Sequence, residues 1–284
     1  MSSVEERTSF PLIRIQPTKG WFSIDFRELW EFRELLYFLT WRDIKVRYKQ
    51  TSVGIAWILF QPLAMMLVFT IFFGILAKIP SGGIPYPVFV FSGLVPWQFF
   101  SRTIMECANS LIYDQRLISK VYFPRLLVPS GKILAGLIDF AISLMLLGLL
   151  MYLYGVIPGS GLLLMPLFIV VMVTAALGVG YWVAALNVEY RDLGVALPFL
   201  VQLWMFVTPV VYSSEMVPES WRLLYGLVNP MAGVVEGFRW SLFGSSAGIY
   251  GTALSVSCIV SAALLVSGLF WFRRRERSFA DILG

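Results

Sequence analysis

The sequence contains no histidine, and this absence removes several kinds of chemistry at once. Histidine is a common metal ligand, proton relay and partner of a nucleophilic serine, so we do not expect sites of those kinds. The chain also lacks the G-x-x-x-x-G-K-[ST] loop that holds nucleotide phosphates, because Gly131-Lys132 has neither the earlier glycine nor the hydroxyl residue. If the protein uses ATP, another chain must bind the nucleotide. We predict no catalytic residue, cofactor or metal site in this chain.

Charge is also scarce. Charged residues make up 14% of the chain and hydrophobic residues 58%, whereas soluble domains have about 25% charged residues. No charge occurs between Phe140 and Val188, and a Gly/Pro-rich segment at 155–161 breaks this stretch into two helices. Because about 20 apolar helical residues cross the hydrocarbon layer, we predict an all-α integral membrane protein with six transmembrane helices. The predicted spans are residues 53–77, 88–110, 133–154, 162–186, 195–212 and 249–272.

The basic residues are unevenly distributed. Of the 22 Lys and Arg, nine precede the first predicted span, four lie between the second and third, one lies between the fourth and fifth, and four follow the last. The positive-inside rule then places both termini in the cytoplasm. The net charge of +5 therefore reports topology, and nucleic acid is not an expected partner. Residues 1–23 lack the apolar core of a signal peptide, so we expect a multi-pass protein of the cell inner membrane.

Two regions precede the first span. We predict that residues 1–23 form a flexible cytoplasmic extension. We predict that residues 24–50 form an amphipathic helix at the cytoplasmic membrane interface. The helix is predicted because apolar residues recur at helical spacing from Leu29 to Leu39. The alternative is that this apolar face packs on a soluble partner. Four cations follow at headgroup level, where they either meet lipid phosphates or only set topology: Arg42, Lys45, Arg47 and Lys49.

The segment between the second and third predicted spans combines basic and apolar residues. Arg116, Lys120 and Arg125 place it on the cytoplasmic side, yet most of residues 117–123 are apolar. A solvated linker would not need those apolar side chains. We therefore predict a short helix that ends near Pro124 and docks onto another protein.

The predicted external segment from Ser213 to Gly248 is rich in aromatic residues and poor in charge. This composition favours short re-entrant helices that dip into the outer leaflet before the last span, which would make the segment a candidate gate. The alternative is an aromatic belt at the membrane interface. The aromatic residues singled out in this segment are Trp221, Tyr225, Phe238 and Trp240.

Three charged side chains fall within predicted spans. Arg102 and Glu106 are four residues apart, so they share a helix face and are close enough to pair. An arginine at the bilayer centre costs about 2.5–3.5 kcal/mol on insertion scales, so we expect pairing or a hydrated position. A direct role in transport is the alternative. The apolar residues around Asp139 offset its insertion cost, which therefore does not reveal its purpose.

Four motifs resemble those of one transporter family. Residues 41–62 read WRDIKVRYKQTSVGIAWILFQP and lead into the first span, and this motif is the most specific. It is followed in order by FSGLVPWQFFS at 91–101, NVEYRDLG at 187–194 and NPM at 229–231. From about Glu28 to the C terminus, the chain resembles the membrane subunit of ABC-2 type polysaccharide exporters.

The resemblance implies a homodimer of permeases with two separate nucleotide-binding ATPase subunits. Its substrate would be a lipid-linked glycan of the O-antigen, capsule or teichoic acid type, whose diphosphate would meet the cations before the first span. Coupling to the ATPase would fall on Arg116, Lys120, Tyr122, Phe123 and Arg125. Sugars stack on aromatic rings, and the aromatic candidates for lining a pathway are Phe89, Phe91, Trp97, Phe99, Phe100, Tyr181 and Trp182.

Two other function classes stay open. An ABC-2 exporter of small hydrophobic molecules would share the same architecture. A membrane-embedded glycan or lipid transferase would need titratable residues that converge at one membrane face, whereas Glu106, Asp139, Glu189 and Asp192 are scattered along the sequence. The sequence does not distinguish one exported glycan from another.

Overall fold

The computed structural model describes residues 26–49, 54–244 and 251–283. Within this part of the chain the secondary structure is helical, with no strand. The predicted extension, residues 1–23, lies outside the described residues, as do the predicted first residues of the interface helix and of the first and last spans. The helices are α1 (Phe26–Glu31), α2 (Arg33–Lys49), α3 (Gly54–Phe69), α4 (Tyr86–Tyr113), α5 (Gln115–Lys120), α6 (Leu127–Leu153), α7 (Met165–Glu189), α8 (Asp192–Val207), α9 (Glu219–Val228), α10 (Pro230–Phe243) and α11 (Gly251–Leu283).

Four helical segments of the described chain are long and apolar enough to cross a membrane. They correspond to the first, third, fourth and sixth predicted spans, so the chain is a multi-pass membrane protein. At the position of the fifth predicted span, α8 is apolar but has only 16 residues. A helix of that length extends about 24 Å. The number of spans and the sidedness of the termini stay predictions. The four segments are Leu59–Leu76, Leu127–Leu153, Ser160–Glu189 and Leu254–Glu276.

α4 corresponds to the second predicted span and is the central helix of the body. Eighteen of its 28 residues are buried, and it packs against α6 and α7 as well as α3, α8 and α10. Phe91, Phe100 and Ile104 are at most 1% exposed, and the Trp204 ring of α8 meets the Phe100 ring edge-on at 5.3 Å. Because α4 is surrounded mainly by protein, it can carry more polar residues than a helix that faces lipid.

Several helix ends differ from the prediction because a charge-free stretch marks the hydrocarbon layer and not the helix. α11 continues eleven residues past its predicted end at 272; its added residues include arginines and a glutamate, which are good helix formers. α8 ends at Val207 because Pro209 disfavours helix at the preceding residue. The break predicted at 155–161 is confirmed, since α6 ends at Leu153 and Gly155 has a φ of 66°.

α1 and α2 occupy the place of the predicted interface helix. Its predicted apolar face, however, packs on protein: Leu39 is 2% exposed, and Leu29, Phe32 and Leu36 pack against the same cluster. Apolar periodicity alone does not distinguish a protein core from a lipid interface, and the position of this helix at the membrane interface stays a prediction. A second face, which is aromatic and apolar, is left at the surface by Tyr37, Phe38, Trp41 and Val46.

α7 and α11 form the most extensive helix pair among the described residues. Two glycines allow this close approach. A Cβ atom at Gly178 would lie 2.6 Å from the backbone of Leu264, and one at Gly268 would lie 2.5 Å from the carbonyl oxygen of Gly178. Small residues at such positions let membrane helices pack backbone to backbone. A larger residue at either position would force the two helices apart.

Candidate functional site at the charged end of the body

Most of the charged residues discussed above converge at one end of the helical body. α2, α5 and the start of α6 meet the C-terminal ends of α4, α7 and α11 there. Arg275 of α11 pairs with Glu189 of α7 at 2.5 Å, and Arg273 of α11 pairs with Glu28 of α1 at 3.4 Å. The early and late parts of the described chain therefore lie at the same end of the body, which we call the charged end.

The first ion-pair group at the charged end fastens α2 to its neighbours. The Arg42 guanidinium donates to Asp114, just after α4, at 2.7 Å and to the adjacent Asp43 at 3.0 Å. Asp43 in turn pairs with Lys132 of α6 at 2.8 Å. The hydrogen bond to Asp114 is the main reason that the pKa of Arg42 lies above its ordinary value. Arg42 is thus held by carboxylates of its own chain.

The second group, which we call the Arg47 network, lies deeper and joins α2 to α4 and α6. Arg47 donates to both carboxylate oxygens of Glu106, at 2.5 and 2.7 Å, and also pairs with Asp139. Arg102 lies 3.2 Å from Asp139 and 3.5 Å from Glu106, and the Tyr48 hydroxyl donates to Asp139 at 2.6 Å. The predicted Arg102–Glu106 pair is present, but it is the longest contact of the network. The sequence did not reveal Arg47 as the central partner.

The four cations predicted to meet lipid phosphates are therefore divided into two pairs. Arg42 and Arg47 are partly buried in ion pairs, whereas Lys45 and Lys49 are exposed. The Lys45 ammonium lies 5.5 Å from the centre of the Trp41 ring. A shallow groove of about 350 Å³ on this side of α2 is lined by Phe38, Trp41, Arg42, Lys45, Val46 and Lys49.

α5 and its flanking residues, 114–126, form a compact protrusion at the charged end, which we call the α5 segment. Its outer side carries exposed basic and apolar groups, as predicted for a docking element: Arg116, Lys120, Val121 and Tyr122. The helix ends at Lys120, four residues before Pro124, because Val121 takes an extended conformation. The short helix is present, and its predicted end was too late.

Two residues assigned to coupling face inward. Phe123 is only 4% exposed and packs in a hydrophobic cluster with Ile118, Phe272 and Phe279. Arg125 is held by Glu276 of α11. Alternation of charged and apolar residues predicts a docking surface, but it does not show which side chains point toward the partner and which toward the protein's own core. Of the five residues assigned to coupling, only Arg116, Lys120 and Tyr122 therefore remain predicted to contact the partner directly.

At the opposite end of the body, Arg239 of α10 binds the backbone of the irregular segment that follows α8. Pro209 ends that helix and leaves carbonyl groups without intrahelical partners. The Arg239 guanidinium, 2% exposed, donates to the carbonyls of Pro209 at 2.7 Å, Val210 at 2.5 Å and Tyr212 at 3.0 Å. It also lies 3.7 Å from the centre of the Phe89 ring.

Two short helices, α9 and α10, stand where the candidate gate was predicted. Asn229 joins them: its side chain accepts from the Met231 amide at 3.1 Å and donates to the Thr208 hydroxyl at 3.0 Å. Of the aromatic residues singled out there, Trp221 is 61% exposed on α9, and the Tyr225 hydroxyl lies 3.3 Å from that of Tyr212. Phe238 is fully buried, and Trp240 packs against the core.

Known proteins resemble this chain along most of its length. The model of the family described as ABC-2 type transporter matches residues 34–243. The chain belongs to the ABC-2 type transporter family. The O-antigen export system permease protein RfbA of Myxococcus xanthus is 32% identical over 258 residues, which cover 90% of this chain and 97% of that relative.

Two further relatives of this ABC-2 transporter chain carry related names. An O-antigen export system permease protein RfbA of Klebsiella pneumoniae is 30% identical over 253 residues, 88% of this chain and 95% of the relative. The polysialic acid transport protein KpsM of Escherichia coli is 23% identical over 240 residues, 84% and 92% of the two chains. The family resemblance read from the four motifs is confirmed.

The aromatic pathway candidates of this ABC-2 transporter chain lie mostly inside the body. Six of the seven are at most 6% exposed: Phe89, Phe91, Trp97, Phe99, Phe100 and Tyr181. The seventh, Trp182, is half-buried and stacks on Trp271 with ring centres 4.6 Å apart. In this conformation the six pack the core and present no face to a substrate. Aromatic content alone could not separate core rings from pathway rings.

The contacts that the sequence did not predict share one property: they join residues that are remote in sequence. Arg47 is 59 residues from Glu106 and 92 from Asp139, and Glu276 is 151 residues from Arg125. Their only sequence signal is a charge in or beside an apolar stretch. Among the described residues, no group of three or more Cys, Asp or Glu side chains is arranged to hold a metal ion.

Proposed function

We propose that this chain is the permease subunit of an ATP-driven exporter that moves a lipid-linked polysaccharide across the cell inner membrane. The observation that carries the proposal is the 32% identity to an O-antigen export permease over 90% of the chain. The similarity to a polysialic acid transport protein supports the wider class of polysaccharide substrates. O-antigen, capsule and teichoic acid chains all fall in that class.

The proposal assigns ATP hydrolysis to a separate subunit. The chain has no phosphate-binding loop, and the α5 segment offers an outer surface suited to a partner at the charged end. Arg116, Lys120 and Tyr122 would fit a groove with acidic and aromatic residues on the ATPase. We propose an assembly of two permeases and two ATPase subunits, with the charged end and both termini in the cytoplasm.

The exposed side of α2 is the proposed contact for the lipid carrier. Among the described residues, neither Lys45 nor Lys49 forms an ion pair with a carboxylate, and apolar rings line the groove beside them. An ammonium group binds phosphate as a point charge, and the rings suit the headgroup level of the membrane. A polyprenyl diphosphate presented from the cytoplasmic leaflet offers both the charge and the apolar tail that this face matches.

The alternative of a transferase is weaker because three of the four candidate carboxylates are neutralised, while the fourth, Asp192, lies apart from them and exposed at the start of α8. Glu106, Asp139 and Glu189 each pair with an arginine. A general acid or base needs access to its substrate and a proton to exchange. An exporter of small hydrophobic molecules would keep the architecture, and the identity to named polysaccharide permeases argues against it.

Affinity purification of the chain from its native membrane tests the proposal. The expected result is one ATPase subunit for each permease after gentle solubilisation, together with export of a polysaccharide that stops when the permease gene is deleted. If the intact chain purifies without an ATPase, or surface polysaccharide is unchanged by the deletion, the proposal is wrong.

A further inference from the structure

We propose that Glu276 is a positioning residue that holds the α5 segment in its working geometry, and that the C-terminal end of α11 thereby links this segment to α1. The inference rests on the proposed function, because it assumes that the α5 segment transmits movement from an ATPase. It concerns the last eleven residues of α11, 273–283, which follow the predicted last span.

The contacts of Glu276 single it out. One carboxylate oxygen, Oε1, accepts from the backbone N–H of Arg125 at 2.8 Å. The other, Oε2, pairs with Arg273 at 3.1 Å, and the backbone carbonyl of Glu276 accepts from the Arg125 guanidinium. The Glu276 side chain is 14% exposed. One residue of α11 therefore holds both the main chain and the side chain of the α5 segment.

The backbone contact has a simple physical cause. Arg125 follows Pro124 and precedes α6, so its N–H belongs to no helical ladder and needs an outside acceptor. The Glu276 carboxylate supplies that acceptor, and a charged acceptor beside a helix N-terminus also favours the helix dipole. In addition to this contact, Ile118 and Phe123 of the α5 segment pack in one hydrophobic cluster with Phe272 and Phe279 of α11. The segment is therefore held by hydrogen bonds and by apolar packing on the same helix.

The same helix continues the contact toward the N terminus. Arg273 bridges Glu276 at 3.1 Å and Glu28 of α1 at 3.4 Å. A displacement of the α5 segment is thus passed to α11 through Glu276 and to α1 through Arg273. Since α1 runs almost directly into α2, ATP-driven movement of the α5 segment would reach the helix that carries the proposed lipid contact.

A set of three substitutions, made in the permease co-expressed with its ATPase, tests the inference. Glu276→Ala removes the acceptor for Arg125, Glu276→Gln keeps an amide oxygen in its place, and Arg275→Ala removes a nearby ion pair of α11 that contacts α7 instead. Three quantities are measured for each variant: the amount of ATPase that copurifies, the unfolding temperature, and polysaccharide exported per ATP hydrolysed.

We expect Glu276→Ala to retain the ATPase but to export about tenfold less per ATP, because loss of one charged hydrogen bond shifts a two-position equilibrium by about that factor. Glu276→Gln should restore most of the export, and Arg275→Ala should leave the ratio near that of the unchanged protein. If Glu276→Ala does not accumulate, Arg273→Gln replaces it, with the same direction and a smaller loss expected.

Two outcomes would overturn the inference. Equal loss in Glu276→Ala and Arg275→Ala would mean that only the general integrity of α11 matters. The second outcome is an unchanged export ratio in Glu276→Ala together with loss of the ATPase in Arg116→Glu. That result would contradict the inference but would be consistent with the proposed function. If Arg116→Glu and Lys120→Glu also change neither ATPase binding nor export, the coupling assignment in the proposed function fails as well.

Discussion

At the residue scale, the Arg47 network decides how three charged residues can lie in or near the hydrocarbon layer. Arg47 is 16% exposed and makes the short contacts to Glu106 and Asp139, whereas Arg102 is 43% exposed and lies at the edge. Removing one partner of a buried ion pair leaves the other charges uncompensated. The two arginines should therefore differ sharply in their effect on stability.

We predict that Arg47→Gln lowers the free energy of unfolding by about 3 kcal/mol, whereas Arg102→Gln lowers it by less than about 1 kcal/mol. Thermal unfolding of the purified variants in detergent measures both changes, with insertion checked by membrane fractionation. Equal losses, or a larger loss for Arg102→Gln, would contradict the central place of Arg47.

Arg239 gives a second prediction at this scale. Arg239→Gln removes donors from the carbonyls of Pro209, Val210 and Tyr212, and unsatisfied buried groups cost about 1–3 kcal/mol each, so we expect a loss of about 3 kcal/mol or more. The control is Arg27→Gln, since Arg27 pairs with Glu31 at 3.4 Å and the two side chains are 88% and 62% exposed. That exposed pair should contribute at most about 1 kcal/mol. Unfolding temperatures that fall equally in both variants would count against the role of Arg239.

Residue contacts were only partly predictable from the sequence. The Arg102–Glu106 pair was predicted because four residues bring two side chains to one helix face. Arg47 and Glu276 were not, because their partners lie on other helices and the tertiary arrangement sets the contact. Phe123 was assigned to docking because an apolar residue in a basic segment looks the same whether it faces a partner or its own core.

At the element scale, the α7–α11 pair depends on two glycines. Gly178→Ala places a Cβ 2.6 Å from the backbone of Leu264, and we expect overpacking to cost about 2 kcal/mol. Gly148→Ala in α6 is the matched control, because its added Cβ meets nothing within 4 Å. The unfolding temperature should fall in the first variant and stay level or rise in the second. A level value for Gly178→Ala would show that the helices can separate without cost.

The α5 segment gives the second prediction for an element. Reversal of an exposed charge at an interface places like charges together, so we expect Arg116→Glu and Lys120→Glu each to weaken ATPase binding about tenfold or more. Arg33→Glu changes an exposed arginine of α2 by the same charge and should leave binding unchanged. Titration of the purified permease with the ATPase measures all three. Binding that falls equally in Arg33→Glu would point to net charge in place of a docking surface.

Elements were more predictable than contacts. Apolar stretches that are poor in charge located helices at all six predicted spans, because the hydrocarbon layer disfavours charge regardless of tertiary structure. The packing of one face of α2 on protein could not be read from the sequence, because Leu39 would be apolar in either setting, next to lipid or next to protein. The end of α11 was missed because the helix continues beyond the apolar stretch into charged residues, where hydropathy no longer marks it.

At the scale of the whole molecule, the two ends of the body differ in chemistry. The charged end holds the ion-pair groups, the exposed α5 segment and both ends of the described chain, while the opposite end is closed by α9, α10 and Arg239. This asymmetry suits a permease that receives its substrate and its energy on one side and releases the substrate on the other. The predicted substrate class derives from relatives and from the cations of α2, and the body itself does not select one glycan.

The most direct test of the central claim is transport in inverted membrane vesicles that contain this chain and its ATPase. A lipid-linked polysaccharide supplied on the exposed cytoplasmic face is followed by its protection from an added glycosidase. We predict protection that requires ATP hydrolysis, and that is lost when the permease is absent or when Lys45 and Lys49 are both changed to Gln. Protection that is independent of ATP, or no protection of any polysaccharide by the intact assembly, would contradict the account.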